Sequence, residues 1–126
     1  MLLKNKRVLL VEDDAMIRDA YEEEFKHSGF IVDVAVTAAE CFAKLKMQRP
    51  DIILLDLFLP KESGLDVLEK LKKDSLYADI PIIIITNIFV DREDLARKGA
   101  SLSIIKSEVT PGQLSEKIED VLKAKA

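Results

Sequence analysis

Several kinds of residue are scarce in this 126-residue chain, which has one cysteine, one histidine, no tryptophan, four glycines and four prolines. A single thiol, Cys41, excludes an internal disulfide and a cysteine-based zinc site. Its ordinary reading is a small residue packed on a helix. The lone His27 falls near the end of a helical pattern, where an imidazole partners the helix dipole better than it serves as a phosphodonor. No Gly/Ser/Pro-rich linker interrupts the chain and no internal repeat stands out. The opening residues 1–7 lack the apolar core of a secretory signal, and no apolar run nears the ~20 residues of a membrane span. These absences predict a cytoplasmic chain with no membrane partner. Nor is there an excess of positive charge: 19 basic against 23 acidic residues give a net charge of -4, with no footprint for direct nucleic-acid binding.

What is present is apolar residues at 48% and charged residues at 33%, in a length that suits one compact domain. The expected domain is 1–126, with no attached effector. Apolar, β-branched-rich runs at 8–11, 31–36, 52–55, 80–85 and 102–105 have strand length. Helical patterns separate them. The first, 14–27, spaces Ile17, Tyr21 and Phe25 four apart and meets Gly29 as a C-terminal stop. The second opens with the capping pair Thr37 and Glu40, the third begins near Ser63, the fourth spans about 91–98, and the fifth starts Thr110-Pro111 with Gln113 in the capping-box position. Five alternating strands and helices predict right-handed βαβ units around a parallel sheet, an α/β fold. Runs one, three and four are almost wholly apolar, whereas the second contains Asp33 and the fifth Ser103. Polar interruptions suit sheet edges, which the doubly wound, flavodoxin-like order 2-1-3-4-5 assigns to those two strands.

In such a sheet the strands deliver their C-terminal ends to one rim, where ligands bind. The runs end at Glu12-Asp13-Asp14, at Asp56, at Thr86-Asn87 and at Lys106. Converging carboxylates repel by roughly 4 kcal/mol per pair at 4 Å and an effective dielectric of 20, so they call for a cation. Oxygen-only donors suit Mg²⁺. Glu12, Asp13 and Asp56 against Mg²⁺ and Lys106 sum to a charge near zero, which permits an anion to approach. A carboxylate can attack phosphorus without a separate base, because it is already ionised at neutral pH. Lys106 and the Thr86 hydroxyl would hold the transferring oxygens. Asp14 suits the start of the first helix instead.

The segments Val8-Leu-Leu-Val-Glu-Asp-Asp, Asp51-Ile-Ile-Leu-Leu-Asp-Leu-Phe-Leu-Pro60, Gly64, Pro81-Ile-Ile-Ile-Ile-Thr86, Gly99-Ala100 and Lys106 together resemble response-regulator receiver domains of two-component signalling. Each fragment is weak alone, but together and in order they cover essentially the whole chain. The resemblance implies that Asp56 is the phosphoacceptor and that Glu12 and Asp13 are the acidic pair, with Asp13 ahead of Glu12 as direct ligand. It further implies that the backbone carbonyl of Phe58 completes the protein's contacts to Mg²⁺, and that Thr86 and Lys106 hold the phosphoryl oxygens. The donor would be a histidine kinase or histidine phosphotransfer protein carrying phosphohistidine. The recipient would be a downstream protein effector, reached through a surface on the fourth helix, fifth strand and fifth helix. Beyond its own phosphorylation and slow dephosphorylation, no enzymatic turnover is expected.

Three positions depart from the family pattern. Ser103 stands where an aromatic switch residue is usual, Asn87 where a small residue follows the threonine, and Ser107 where proline follows the lysine. They keep a second reading open, a phosphorylation-independent interaction module of the same fold. A third reading, an aspartate-nucleophile phosphohydrolase, lacks the second acid expected two positions after Asp56, where Phe58 stands. A flavin site is disfavoured because three acids follow the first strand in place of a phosphate cradle.

Overall fold

The computed structural model describes residues 4–125. The outermost positions of the expected domain, 1–3 and 126, lie outside the described residues. Five parallel strands, β1 (Arg7–Val11), β2 (Ile31–Ala35), β3 (Ile52–Asp56), β4 (Ile82–Thr86) and β5 (Leu102–Ile105), form one sheet in the order β2-β1-β3-β4-β5. Between and after them run α1 (Ala15–His27), α2 (Ala38–Met47), α3 (Gly64–Lys73), α4 (Arg92–Arg97) and α5 (Pro111–Lys125).

The pleat sorts the strand side chains into two cores. Leu9, Val11, Ile53, Leu55, Ile82 and Ile84 face α2, α3 and α4, whose contributions include Cys41, Leu45, Leu68 and Leu95. Val8, Leu10, Ile52, Leu54, Ile83 and Ile85 face α1 and α5, meeting Tyr21, Phe25, Leu114 and Ile118. Strands covered on both sides have no need of polar alternation, and β1, β3 and β4 show none before their last residues. At about 1.5–3 kcal/mol for each fully buried Leu or Ile side chain, this double layer outweighs the cost of the few buried charges at its rim.

The helix starts follow the local chemistry read from the sequence. Asp14 Oδ1 accepts from the Ile17 N–H, Thr37 Oγ1 from Glu40 and Ser63 Oγ from Leu65. Thr110 and Gln113 form both halves of a capping box, at 2.9 and 3.1 Å. Two expectations shift. β2 ends at Ala35, one residue early, because Thr37 in extended backbone caps α2. β4 begins at Ile82, because the Ile80 N–H is already taken by the Tyr77 carbonyl and Pro81 has no N–H for the ladder. Asp33 marks an edge as expected, paired with Arg7 at 2.8 Å. Ser103 likewise lies on an edge strand, β5; it is buried, and its alternation with Ile104 turns it toward the α4 side of the sheet.

Candidate functional site: an acidic pocket at the C-terminal rim

β1 and β3 are neighbours in the sheet, with Val11 opposite Leu55, so the residues that follow each strand emerge side by side. One carboxylate oxygen each from Glu12, Asp13 and Asp56 lies within 4.8 Å of the others. Two unit charges at that separation repel by about 3 kcal/mol at an effective dielectric near 20. Glu12 and Asp56 are buried while Asp13 is exposed, so the cluster has a dry base and an open lip.

Lys106 closes the base from β5, 50 residues along the chain from Asp56. Its Nζ lies 3.0 Å from Asp56 Oδ2 and 2.5 Å from Glu12 Oε1, with the ammonium itself buried. Burial pulls the Lys106 pKa down, but Glu12 and Asp56 outweigh it and leave the group above an ordinary lysine. Burial pushes the Glu12 carboxyl up to about 7; Lys106 opposes this and Asp56 adds to it. One ammonium against three carboxylates leaves the pocket at -2 when all are ionised. Glu12 Oε1 has the ion pair but no aligned hydrogen bond. An all-oxygen donor set carrying surplus negative charge and an under-bonded buried oxygen fits a hard divalent cation such as Mg²⁺.

Asp56 is held from its other side as well. Its Oδ1 accepts from the Phe58 N–H at 3.0 Å, and Phe58 bridges to Ser63 across the β3–α3 turn. The Gly64 N–H bonds the Leu57 carbonyl at 2.8 Å, and a Cβ on Gly64 would stand 2.0 Å from the Asp56 carbonyl oxygen. Only glycine fits this approach. Thr86 sits buried at the end of β4, in register with Ile105 one residue before Lys106. Its Oγ1 accepts from the Ile88 N–H at 3.3 Å, leaving the hydroxyl proton free to donate.

The structure thus gathers Glu12, Asp13, Asp56 and Lys106, folds Phe58 back onto Asp56, and places Thr86 at the adjoining strand end. Asp14 serves as the α1 cap, and His27 ends α1 at the opposite rim. Two contributors escaped the sequence reading. Arg18 on α1 donates to the Glu12 and Asp13 carbonyls at 3.2 and 3.4 Å and so braces the acidic turn. Its position one turn after Asp14 was the available signal. Gly64 was noticed only as part of a pattern, and its backbone role depends on a contact no spacing reveals.

A parallel, doubly wound sheet whose carboxyl rim joins three acids to one buried lysine defines a class of protein, the aspartate-bearing signalling domains. Residues 8–119 match the family model for the response regulator receiver domain, and the chain belongs to that family. It is 32% identical over 120 residues to the probable transcriptional regulator ycf27 of Guillardia theta, covering 94% of this chain and 46% of that protein. With the phosphate regulon transcriptional regulatory protein PhoB of Pseudomonas aeruginosa it shares 37% over 81 residues, 64% of this chain and 35% of that one. The chain therefore spans about half the length, or less, of these curated relatives. A crystal structure of a CheY-like response regulator receiver domain protein from Methanospirillum hungatei JF-1 superposes with a TM-score of 0.86, at 31% identity and 97% coverage of both chains.

Proposed function

We propose that this receiver domain takes a phosphoryl group from phosphohistidine onto Asp56 and thereby changes its affinity for a protein partner. The observation that carries the reading is the Asp56 carboxylate itself, buried at the end of a central strand and bound at once to the Lys106 ammonium and the Phe58 N–H. Glu12, Asp13, Asp56 and the Phe58 carbonyl would hold Mg²⁺, which supplies charge neutralisation for the incoming phosphoryl oxygens. Asp56 Oδ attacks phosphorus, forming the O–P bond as the P–N bond to the donor imidazole breaks; that nitrogen keeps the electron pair. Lys106 and the Thr86 hydroxyl steady the oxygens of the group in transit. The Phe58 N–H and Gly64 keep Asp56 from turning away. Phe58 stands two positions after Asp56 where an aspartate-nucleophile phosphatase carries its second acid, so the acyl phosphate is a state to be read and not a step in turnover.

The donor is a histidine kinase or histidine phosphotransfer protein, and the reader a downstream effector protein, in the cytoplasm. Among the described residues no helix is long and apolar enough to cross a membrane. The departures at Asn87, Ser103 and Ser107 favour one second reading, a module that binds its partner whatever the state of Asp56.

Acetyl phosphate with and without Mg²⁺, followed by intact-mass and peptide analysis, tests the proposal. A single phosphoryl group on the peptide containing Asp56, dependent on Mg²⁺ and absent from Asp56→Asn, is expected. An unmodified chain under conditions where it binds Mg²⁺ would overturn the proposal in favour of the phosphorylation-independent module.

A further inference from the structure

Tyr21 reaches from the hydrophobic core into the rim. It lies in the apolar stripe of α1, buried at 5% exposure, and stacks on Phe25 with ring centroids 5.8 Å apart and 23° between the planes. Leucine-like bulk would satisfy that stripe; a phenol also needs somewhere polar for its hydroxyl. The available space is a cleft of about 480 Å³ between α1 and the end of β5, which Tyr21 lines together with Ile17, Asn87, Lys106, Ser107 and Val109. Burial raises the phenol's pKa; Lys106 opposes that, and Glu12 and Asp56 add to it.

We propose that Tyr21 is a positioning residue for Lys106, which limits where the ammonium moves when Asp56 is loaded and carries that movement into α1. The inference rests on the phosphoacceptor reading above. In the unloaded protein Lys106 is held by Glu12 Oε1 and Asp56 Oδ2. Phosphorylation moves negative charge from Asp56 out to the phosphoryl oxygens, and the ammonium must follow. Lys106 and Tyr21 line the same cleft. On β5 the serine at position 103 offers no aromatic ring to register the change, and it faces the α4 side. Tyr21 faces the other side, among the residues that join α1 to α5. The state of Asp56 is thus transmitted to the α1–α5 face.

The chain has no tryptophan and two tyrosines, Tyr21 and Tyr77, so tyrosine emission isolates the residue. In Tyr77→Phe, Tyr21 is the sole emitter, and beryllofluoride with Mg²⁺ stands in for the phosphoryl group while ¹⁹F NMR reports its occupancy. Emission is expected to change in step with occupancy. Tyr21→Phe keeps the ring and its stacking, so its melting temperature should stay within about 2 °C. Its phosphorylation by acetyl phosphate should slow about three- to tenfold. Bound beryllofluoride with unchanged emission, or a wild-type phosphorylation rate in Tyr21→Phe, overturns the role of Tyr21 and leaves the phosphoacceptor intact. Failure of beryllofluoride to bind brings down both.

Discussion

The two halves of the carboxyl rim are built differently. On the β1–β3 side each acidic turn is tied down: Arg18 bonds the carbonyls of Glu12 and Asp13, the Asp14 N–H bonds Glu12 Oε2 at 3.2 Å, and the Phe58 N–H and Gly64 seat Asp56. On the β4–β5 side the chain leaves Thr86 and exposes Asn87, Ile88 and Phe89, the last at 87%, before α4, a helix of six residues. Lys106 is the tie between the halves. The departures from the family pattern, Asn87, Ser103 and Ser107, all lie in the second half. Charge balance constrains the first half residue by residue, because moving one carboxylate changes the repulsion felt by the others. The second half presents surface, where a substitution alters what is displayed and not what is neutralised.

Asp56→Asn should break the comparison most completely, abolishing the phosphoryl adduct in mass analysis while leaving the β4–β5 half in place. Lys106→Met, which removes the tie, should slow phosphorylation by acetyl phosphate about 10²–10³-fold. It should also destabilise the fold by about 3–5 kcal/mol at pH 8, because two buried carboxylates lose their cation. Chemical denaturation at pH 5, where Glu12 is protonated, should recover much of that loss. Gly64→Ala pushes a methyl group into the Asp56 carbonyl and should cost about 3 kcal/mol, read as a lower denaturant midpoint, with weaker Mg²⁺ binding.

The pH dependence sharpens the contrast further. Glu12 holds its proton up to about 7 in the folded chain, against 4.5 for a free carboxyl. Between those values the folded state binds more protons than the unfolded state, so metal-free stability should fall as pH rises from 4.5 through 7. Thermal melts should show the decline, Mg²⁺ should offset it above pH 7, and Glu12→Gln should flatten it. Smallest of all, Ile88→Ser with Phe89→Ser should leave stability within about 0.5 kcal/mol and the phosphorylation rate unchanged, since both side chains are exposed.

These contrasts match what could be read from the chain alone. The five strands and their order were legible because doubly covered strands read as uninterrupted apolar runs, and each of the site-bearing runs stops at a polar residue. Asp56 and Lys106 could be paired for the same reason, since parallel strands bring their ends together whatever their separation in sequence. Arg18 was not legible as part of the site, because what a residue on α1 meets depends on how the helix is rotated against the sheet. Ser103 correctly marked β5 as an edge strand, but its burial was not legible, because a polar interruption in a strand does not say how far its own side chain is covered.

Whether Glu12, Asp13, Asp56, Thr86 and Lys106 form one pocket is tested most directly by ¹H–¹⁵N spectra recorded through a Mg²⁺ titration. The amides closing β1, β3, β4 and β5 should shift together and fit a single dissociation constant, with the shifts lost in Asp13→Asn/Asp56→Asn. Strand ends that respond with separate constants, or with no response at all, would contradict a shared site.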